Sequence, residues 1–282
     1  MTSGLARVHE QRRQRAQGQL GLSFGAGSPG QAARLKTFVQ TGCLRARLPR
    51  AQSPGWREAV TLNISGGIAG GDALATSIQV ESGARVLVAG QAAERVYRAA
   101  QGEPARITTD IDVGPGASLE YLPQETIFYN GFALDRSLLI KLAADAYYLG
   151  VEMQVFGRRS MGETLTSGSW HDCIHVIREG RIVINDRVRL EGAIEAQLSH
   201  PAIANGAVVV ATLILAGPLA AAHLDGLREI LHHDQIWAGA SLVDGVLVAR
   251  VLARSLHDAK RSIITALAVL RDGRPLSRVW QG

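Results

Sequence analysis

The chain has 282 residues, 46% of them hydrophobic, and can bury a sizeable core without disulfides or a structural metal. Its net charge of +5 is modest for this length and is carried mostly by arginine, which serves ion pairs and protein contacts as readily as phosphates. With no zinc-finger, RNP-like or KH-like pattern, that charge does not nominate nucleic acid. Two cysteines, Cys43 and Cys173, are too few for a disulfide framework and fit a reducing compartment.

In chain order, the basic start "MTSGLARVHEQRRQRAQGQL" is not followed by an apolar h-region, so it does not read as a signal peptide. An arginine-rich transit peptide is the alternative, and residues 1–19 are expected to form a flexible basic tail. "QLGLSF" then alternates with period two around Leu20, Leu22 and Phe24 and predicts a first strand. "RLKTFVQTGCLRARL" resumes the extended pattern, with Leu35, Phe38, Leu44 and Leu48 as core candidates.

Short predicted strands separated by glycine turns follow: "EAVTLNI", "ALATSIQVE", "ARVLVAG", "ARITTDIDV", "ASLEYLP" and "SLLIKLA". Their 8 to 12 residue spacing argues a mostly β architecture rather than a βαβ one. The most apolar stretch, Gly206 to Ala222, is strongly apolar for only about ten residues before Gly217 and Pro218, short of the roughly 20 a spanning helix needs. It predicts a buried strand followed by a helix start, and no membrane partner. Two helices are expected in the C-terminal part. One begins near Pro218 and runs through "LAAAHLDGLREILHH", weakened by Gly226. The other follows the capping spacing Ser255 to Asp258, with Ala259, Ile263, Leu267 and Leu270 as one apolar ridge. No linker separates two domains, so the expected fold is one mostly β domain over residues 20–282, β-helix-like or layered, with about two helices late in the chain.

Chemical motifs exclude more than they assign. "NISGGIAGGDAL" lacks the lysine of a Walker A loop and puts Asp72 where a phosphate would be repelled. Gly66, Gly67, Gly70 and Gly71 also miss the dinucleotide spacing, and a strand follows them. The plain alternative is a tight double turn in which Asp72 accepts backbone hydrogen bonds. "HDCIH" places His171, Cys173 and His175 on one strand face, a soft-metal composition. At about 3.3 Å per residue, however, the two histidine Cα atoms lie roughly 13 Å apart, marginal for one tetrahedral ion. The bland reading is an ordinary strand face, and the sharp one a metal-dependent hydrolase centred on these three. No nucleophile elbow, H-E-x-x-H or C-x-x-C occurs, so an enzyme finds little support.

The order of segments carries more. "LNISGGIAGGDAL", "QAAERVYRA", "GASLEYLPQETIFYNGFAL", "FGRRSMGE" and a terminal "RVWQ" together resemble the urease accessory protein family UreD, also called UreH, from about Leu20 onward. The segment "LPQETIFYNG" is the most specific of these. In place of the family's frequent Gly-Pro-Leu stands "GCL", so Cys43 replaces a proline.

The resemblance implies a cytoplasmic, non-enzymatic nickel-insertion chaperone with a β-helix-like fold. Such a chaperone binds apo-urease and UreF, reaches the GTPase UreG through UreF, and holds no cofactor beyond transient Ni2+. Carried over by motif position, Asp72 and Glu163 are expected near the nickel path or the urease-facing surface, with Glu94 and Glu125 next. Salt bridges to arginines such as Arg158 are the alternative role for these acids. Gly66, Gly67, Gly70 and Gly71 are expected to shape the backbone, Tyr97 to serve as a core or interface aromatic, and an exposed Trp280 beside Arg278 to help dock UreF. A purely structural urease-binding chaperone needs the same surfaces.

Because a divalent ion cannot cross a dry apolar interior, a relay requires a hydrated channel with weak successive ligands. Too many ligands at one point would trap the ion, so isolated acids suit the path better than a closed cluster.

Overall fold

A computed structural model describes residues 15–100, 102–158 and 162–281. Two large sheets face each other. The first has the order β14 (Arg181–Gly192), β13 (Gly168–Arg178), β11 (Phe132–Leu142), β8 (Ala105–Val113), β5 (Ala73–Val80), β1 (Gln17–Gly25), β2 (Arg34–Gly42). The second runs β16 (Ile236–Val243), β17 (Val246–Ala253), β15 (Val209–Ala216), β12 (Tyr147–Phe156), β9 (Ser118–Leu122), β6 (Arg85–Gly90), β4 (Arg57–Asn63), β3 (Leu44–Arg47), with short β7 (Glu94–Val96) and β10 (Thr126–Phe128) to one side.

The centre is a solenoid. The pairs β5 and β6, β8 and β9, and β11 and β12 each send one strand into each sheet, and successive strands within a sheet are parallel. This is the β-helix-like arrangement expected from the strand rhythm. The first strand starts at Gln17, inside the stretch expected to be a tail, while residues 1–14 lie outside the described ones.

The two sheets read differently because their surroundings differ. The outer face of the first sheet meets solvent, so β5 and β8 alternate buried and exposed residues. The second sheet is covered on both faces, so β12 and β15 are buried almost throughout, as the apolar run up to Ala216 required. One core lies between the sheets, built on Phe24, Ile78, Ile111, Leu134, Tyr148 and Trp170. The other lies between the second sheet and the C-terminal helices, built on Leu122, Leu149, Leu213, Ile263, Leu267 and Trp280.

Among the described residues there are three α-helices, all late in the chain: α1 (Ile194–Ser199), α2 (Leu224–Ile230) and α3 (Leu256–Leu270). The short α1 has no counterpart among the predicted helices, and α2 is preceded by a 3-10 turn at Ala220–His223. The cap of α3 forms as its spacing requires: Ser255 Oγ accepts the Asp258 N–H at 3.1 Å, and Ala259, Ile263, Leu267 and Leu270 are buried. Among the predicted core residues Leu44 is buried, but Phe38 is 41% exposed, because β2 is an edge strand paired only with β1.

Candidate functional site

Aligned coils stack equivalent residues into ladders, and one ladder defines an end of the solenoid. Ile68, Val96, Phe128 and Phe156 stand side by side in parallel register, each no more than 2% exposed. Phe128 and Phe156 pack on Trp170, which closes the core at this end. Tyr97 follows Val96, Tyr129 follows Phe128, and the exposed Arg158 stands two residues past Phe156, after the buried Gly157. Tyr97 and Tyr129 stack at 5.0 Å, and the Arg158 guanidinium lies 4.2 Å from the Tyr129 ring centroid. The stack ends on the glycine turn, where the Tyr97 hydroxyl donates to the Gly66 carbonyl at 3.0 Å. A Cβ at Gly67, whose φ is +142°, would lie 2.3 Å from Tyr97 Cε2, so only glycine lets the ring rest there. Gly70 admits a close backbone approach by Glu103, and Gly66 and Gly71 adopt positive φ.

Asp72 and Glu163 brace this end. The buried Asp72 carboxylate accepts the Ala69 N–H at 2.8 Å and the Ala16 N–H at 2.7 Å, tying the turn to the chain entering β1. That is the double turn with backbone hydrogen bonds, one of the two readings open from sequence. Glu163 accepts Arg158 Nε at 2.9 Å and the backbone N–H groups of Asn130 and Arg158 at 3.2 Å. Burial pushes its carboxyl up, but these donors outweigh burial and hold it below the usual carboxylate range. It fixes Arg158 over Tyr129.

Between the sheets lies a cavity of about 140 Å³, lined by Asn63, Thr76, Thr109, Tyr121, Gln124, Arg136, Glu94 and Glu152, among others. Asn63 Nδ2 donates to both Glu94 carboxylate oxygens, each at 3.2 Å. Burial pushes its pKa up to about 7, only partly offset by Asn63 and Arg95. Glu152 faces Arg136 across the sheets, and burial raises it too, against the pull of that arginine. Two carboxylates, one of them poised to exchange a proton near neutrality, thus share a polar interior wall.

A family model for the UreD urease accessory protein matches residues 16–281. The chain belongs to the UreD family of urease accessory proteins. It is 42% identical over 275 residues to the urease accessory protein UreD of Methylobacterium sp. (strain 4-46), covering 96% of each chain. It is 41% identical to that of Ruegeria pomeroyi, over 89% of this chain and 96% of that one. To that of Azorhizobium caulinodans it is 38% identical, over 95% and 97%. Family membership places the chain in urease maturation.

With the UreD frame in place, the remaining candidates separate. Glu125 does not line the cavity; it pairs with Lys260 of α3 at 2.8 Å. Trp280 corrects an expectation: it is 5% exposed, and its indole N–H donates to the Leu122 carbonyl at 3.0 Å. Gln124 Nε2 donates to the Val279 carbonyl at 2.8 Å, so "LPQETIFYNG" and "RVWQ" are two halves of one joint. An apolar indole with a single donor is best buried beside a free carbonyl, which the end of β9 provides.

His171, Cys173 and His175 share the solvent face of β13 as expected; Cys173 Sγ lies 3.5 Å from His175 Nε2, but the three do not converge on one point. His171 meets Asp135 at 3.1 Å through Nδ1 and Glu191 at 2.6 Å through Nε2, while His175 Nε2 meets Asn185 at 2.9 Å. Among the described residues, no group of three His, Cys, Asp or Glu is placed to hold a metal ion. Their geometry is that of an ordinary strand face. Among the described residues, no helix is long and apolar enough to cross a membrane.

Sequence reasoning missed Glu152, Arg136 and Asp172. Glu152 was detectable as the lone charge in the apolar run "YYLGVEMQVF"; nothing local marked the other two.

Proposed function

We propose that this chain is a nickel-insertion chaperone that binds apo-urease and the UreF/UreG complex in the cytoplasm and guides Ni2+ to the urease active site without turnover of its own. The observation that carries the nickel step is the polar cavity between the sheets, with Glu94 and Glu152 on its wall. It has room for several waters, and hydroxyl, amide and carboxylate groups line a space that a divalent ion could enter without losing all its ligands. Glu94 is a weak, reversible oxygen ligand of the kind a relay needs.

The Tyr97, Tyr129 and Arg158 stack supports the docking step. Tyrosine and arginine are the residues enriched at protein interfaces, and Ile64, 56% exposed, lies on the same glycine turn. Asp72 and Glu163 serve this surface by shaping it.

The test uses purified apo-urease, UreF, UreG, Ni2+ and bicarbonate with wild-type chain or with Thr76→Phe, which fills the cavity. The wild-type chain is expected to activate urease. The variant is expected to join the complex but activate at least about tenfold less, the equivalent of blocking most transfers. Normal activation by a folded Thr76→Phe chain would exclude the cavity as the path.

A further inference from the structure

Arg136 is a buried charge that the proposed path does not use as a ligand. It sits on β11 in register with Asp172 of β13, and Nε and Nη2 donate to the two Asp172 oxygens, both at 2.7 Å. Nη1 pairs with Glu152 of β12 in the facing sheet. With the Gln154 amide turned so that its nitrogen donates to the Val210 carbonyl at 3.2 Å, its oxygen accepts Nη2 at 3.0 Å. The three charged side chains are only 9%, 11% and 7% exposed for Arg136, Glu152 and Asp172. Burial works against the Arg136 charge, but the two acids outweigh it and drive its pKa further up.

A buried ion triad adds little stability over apolar side chains of the same volume, so stability alone does not account for one whose Arg136 and Glu152 line a cavity, with Asp172 behind them. Its chemistry does. Two carboxylates converging in low dielectric would chelate a divalent cation strongly, and a relay that chelates strongly stops. A guanidinium cannot be deprotonated here and presents planar donors that fit both acids at once.

We propose that Arg136 is a charge lock on the cavity: by occupying Glu152 and Asp172 it keeps the path from becoming a nickel trap. Passing Ni2+ is left to weaker contacts such as Glu94. Arg136 is thus a positioning residue, and the proposal rests on the nickel-path reading above.

The test loads the urease-bound chain with Ni2+ alone, removes free metal by gel filtration and measures bound nickel by mass spectrometry. Wild type is expected to retain almost none, and Arg136→Gln about one ion per chain, as expected of two freed acids. Arg136→Gln/Glu152→Gln should return to the wild-type level. Because Arg136→Gln leaves two unpaired buried acids, Arg136→Gln/Asp172→Asn is measured beside it; it removes one acid with the base and so keeps the triad's net charge. It is expected to retain nickel at least about tenfold above wild type, through the freed Glu152 together with Glu94, the other acid lining the cavity.

Retention no higher than wild type in every folded Arg136 variant would overturn the lock. So would a wild-type chain that itself holds stoichiometric nickel lost on Glu152→Gln. If Thr76→Phe blocks maturation while the Arg136 variants hold no nickel, only the lock fails; if Thr76→Phe matures urease normally, the path reading fails.

Discussion

Replacing Glu94 by glutamine should make the protein more stable at alkaline pH and leave it nearly unchanged at acid pH. The pKa of Glu94 stands at about 7 in the folded chain against an ordinary 4.5, chiefly because of burial. Between those values the folded chain holds a proton that the unfolded chain releases. The stability contributed by this group is therefore fully present below pH 4.5 and is lost as pH rises through about 7. At about 1.4 kcal/mol per tenfold in proton affinity, the loss is at most about 3 kcal/mol, less whatever residual solvent contact screens. Glutamine is neutral throughout and can still accept from Asn63. Urea denaturation at pH 5 and pH 8 should show the two chains within about 1 kcal/mol at pH 5 and the variant up to about 3 kcal/mol more stable at pH 8. In Tm the gain at pH 8 is roughly 5–10 °C. Glu120, Glu152 and Glu163 titrate abnormally in both chains, so the difference isolates Glu94. Parallel stability profiles for the two chains would refute the burial argument. The same variant should also lower nickel-dependent urease activation, because it removes the exchangeable ligand.

Gly67→Ala forces Tyr97 off the turn and strains the backbone, and should destabilise by about 2–4 kcal/mol while weakening capture of apo-urease in a pull-down. Trp280→Ala empties the joint between the C-terminus and β9 and should cost about 3–5 kcal/mol in urea denaturation. Asp72→Ala leaves the part-buried N–H groups of Ala16 and Ala69 without their acceptor and should cost about 1–3 kcal/mol. Urease maturation by Asp72→Ala should fall only in step with the folded fraction, measured by circular dichroism on the same sample. A folded, stable Asp72→Ala chain that fails to mature urease would give Asp72 a direct part in nickel handling.

Much of this was legible from local patterns because its physics is local. The two-residue alternation of "ARITTDIDV" shows a strand with one wet face, and β8 is such a strand. The Ser255 to Asp258 spacing specifies a cap, and the glycines before Asp72 specify a turn whose acid accepts backbone donors. Family likeness carried the role in urease maturation, because "LPQETIFYNG" commits nearly every residue to a structural partner. Leu122 and Gln124 hold the C-terminus, Glu125 holds α3, Phe128 fills the core and Tyr129 joins the exposed stack.

Other features depend on residues that meet only after folding. Phe38 has the pattern of a core residue, yet among the described residues no strand pairs with the far side of β2. Trp280 looks like a docking anchor on the sequence beside it, but a carbonyl 158 positions away decides that it is buried. His171, Cys173 and His175 occupy one face as their spacing requires, while the neighbouring strands set their partners. Arg136, Glu152 and Asp172 belong to three different strands, and only the register of the coils and the facing of the sheets brings them together. The sequence by itself determined strands, turns, caps and family, since each is written in residues a few positions apart. The tertiary structure decided which charges share the cavity, because burial and charge pairing are set by distances in space between strands that the chain order leaves far apart.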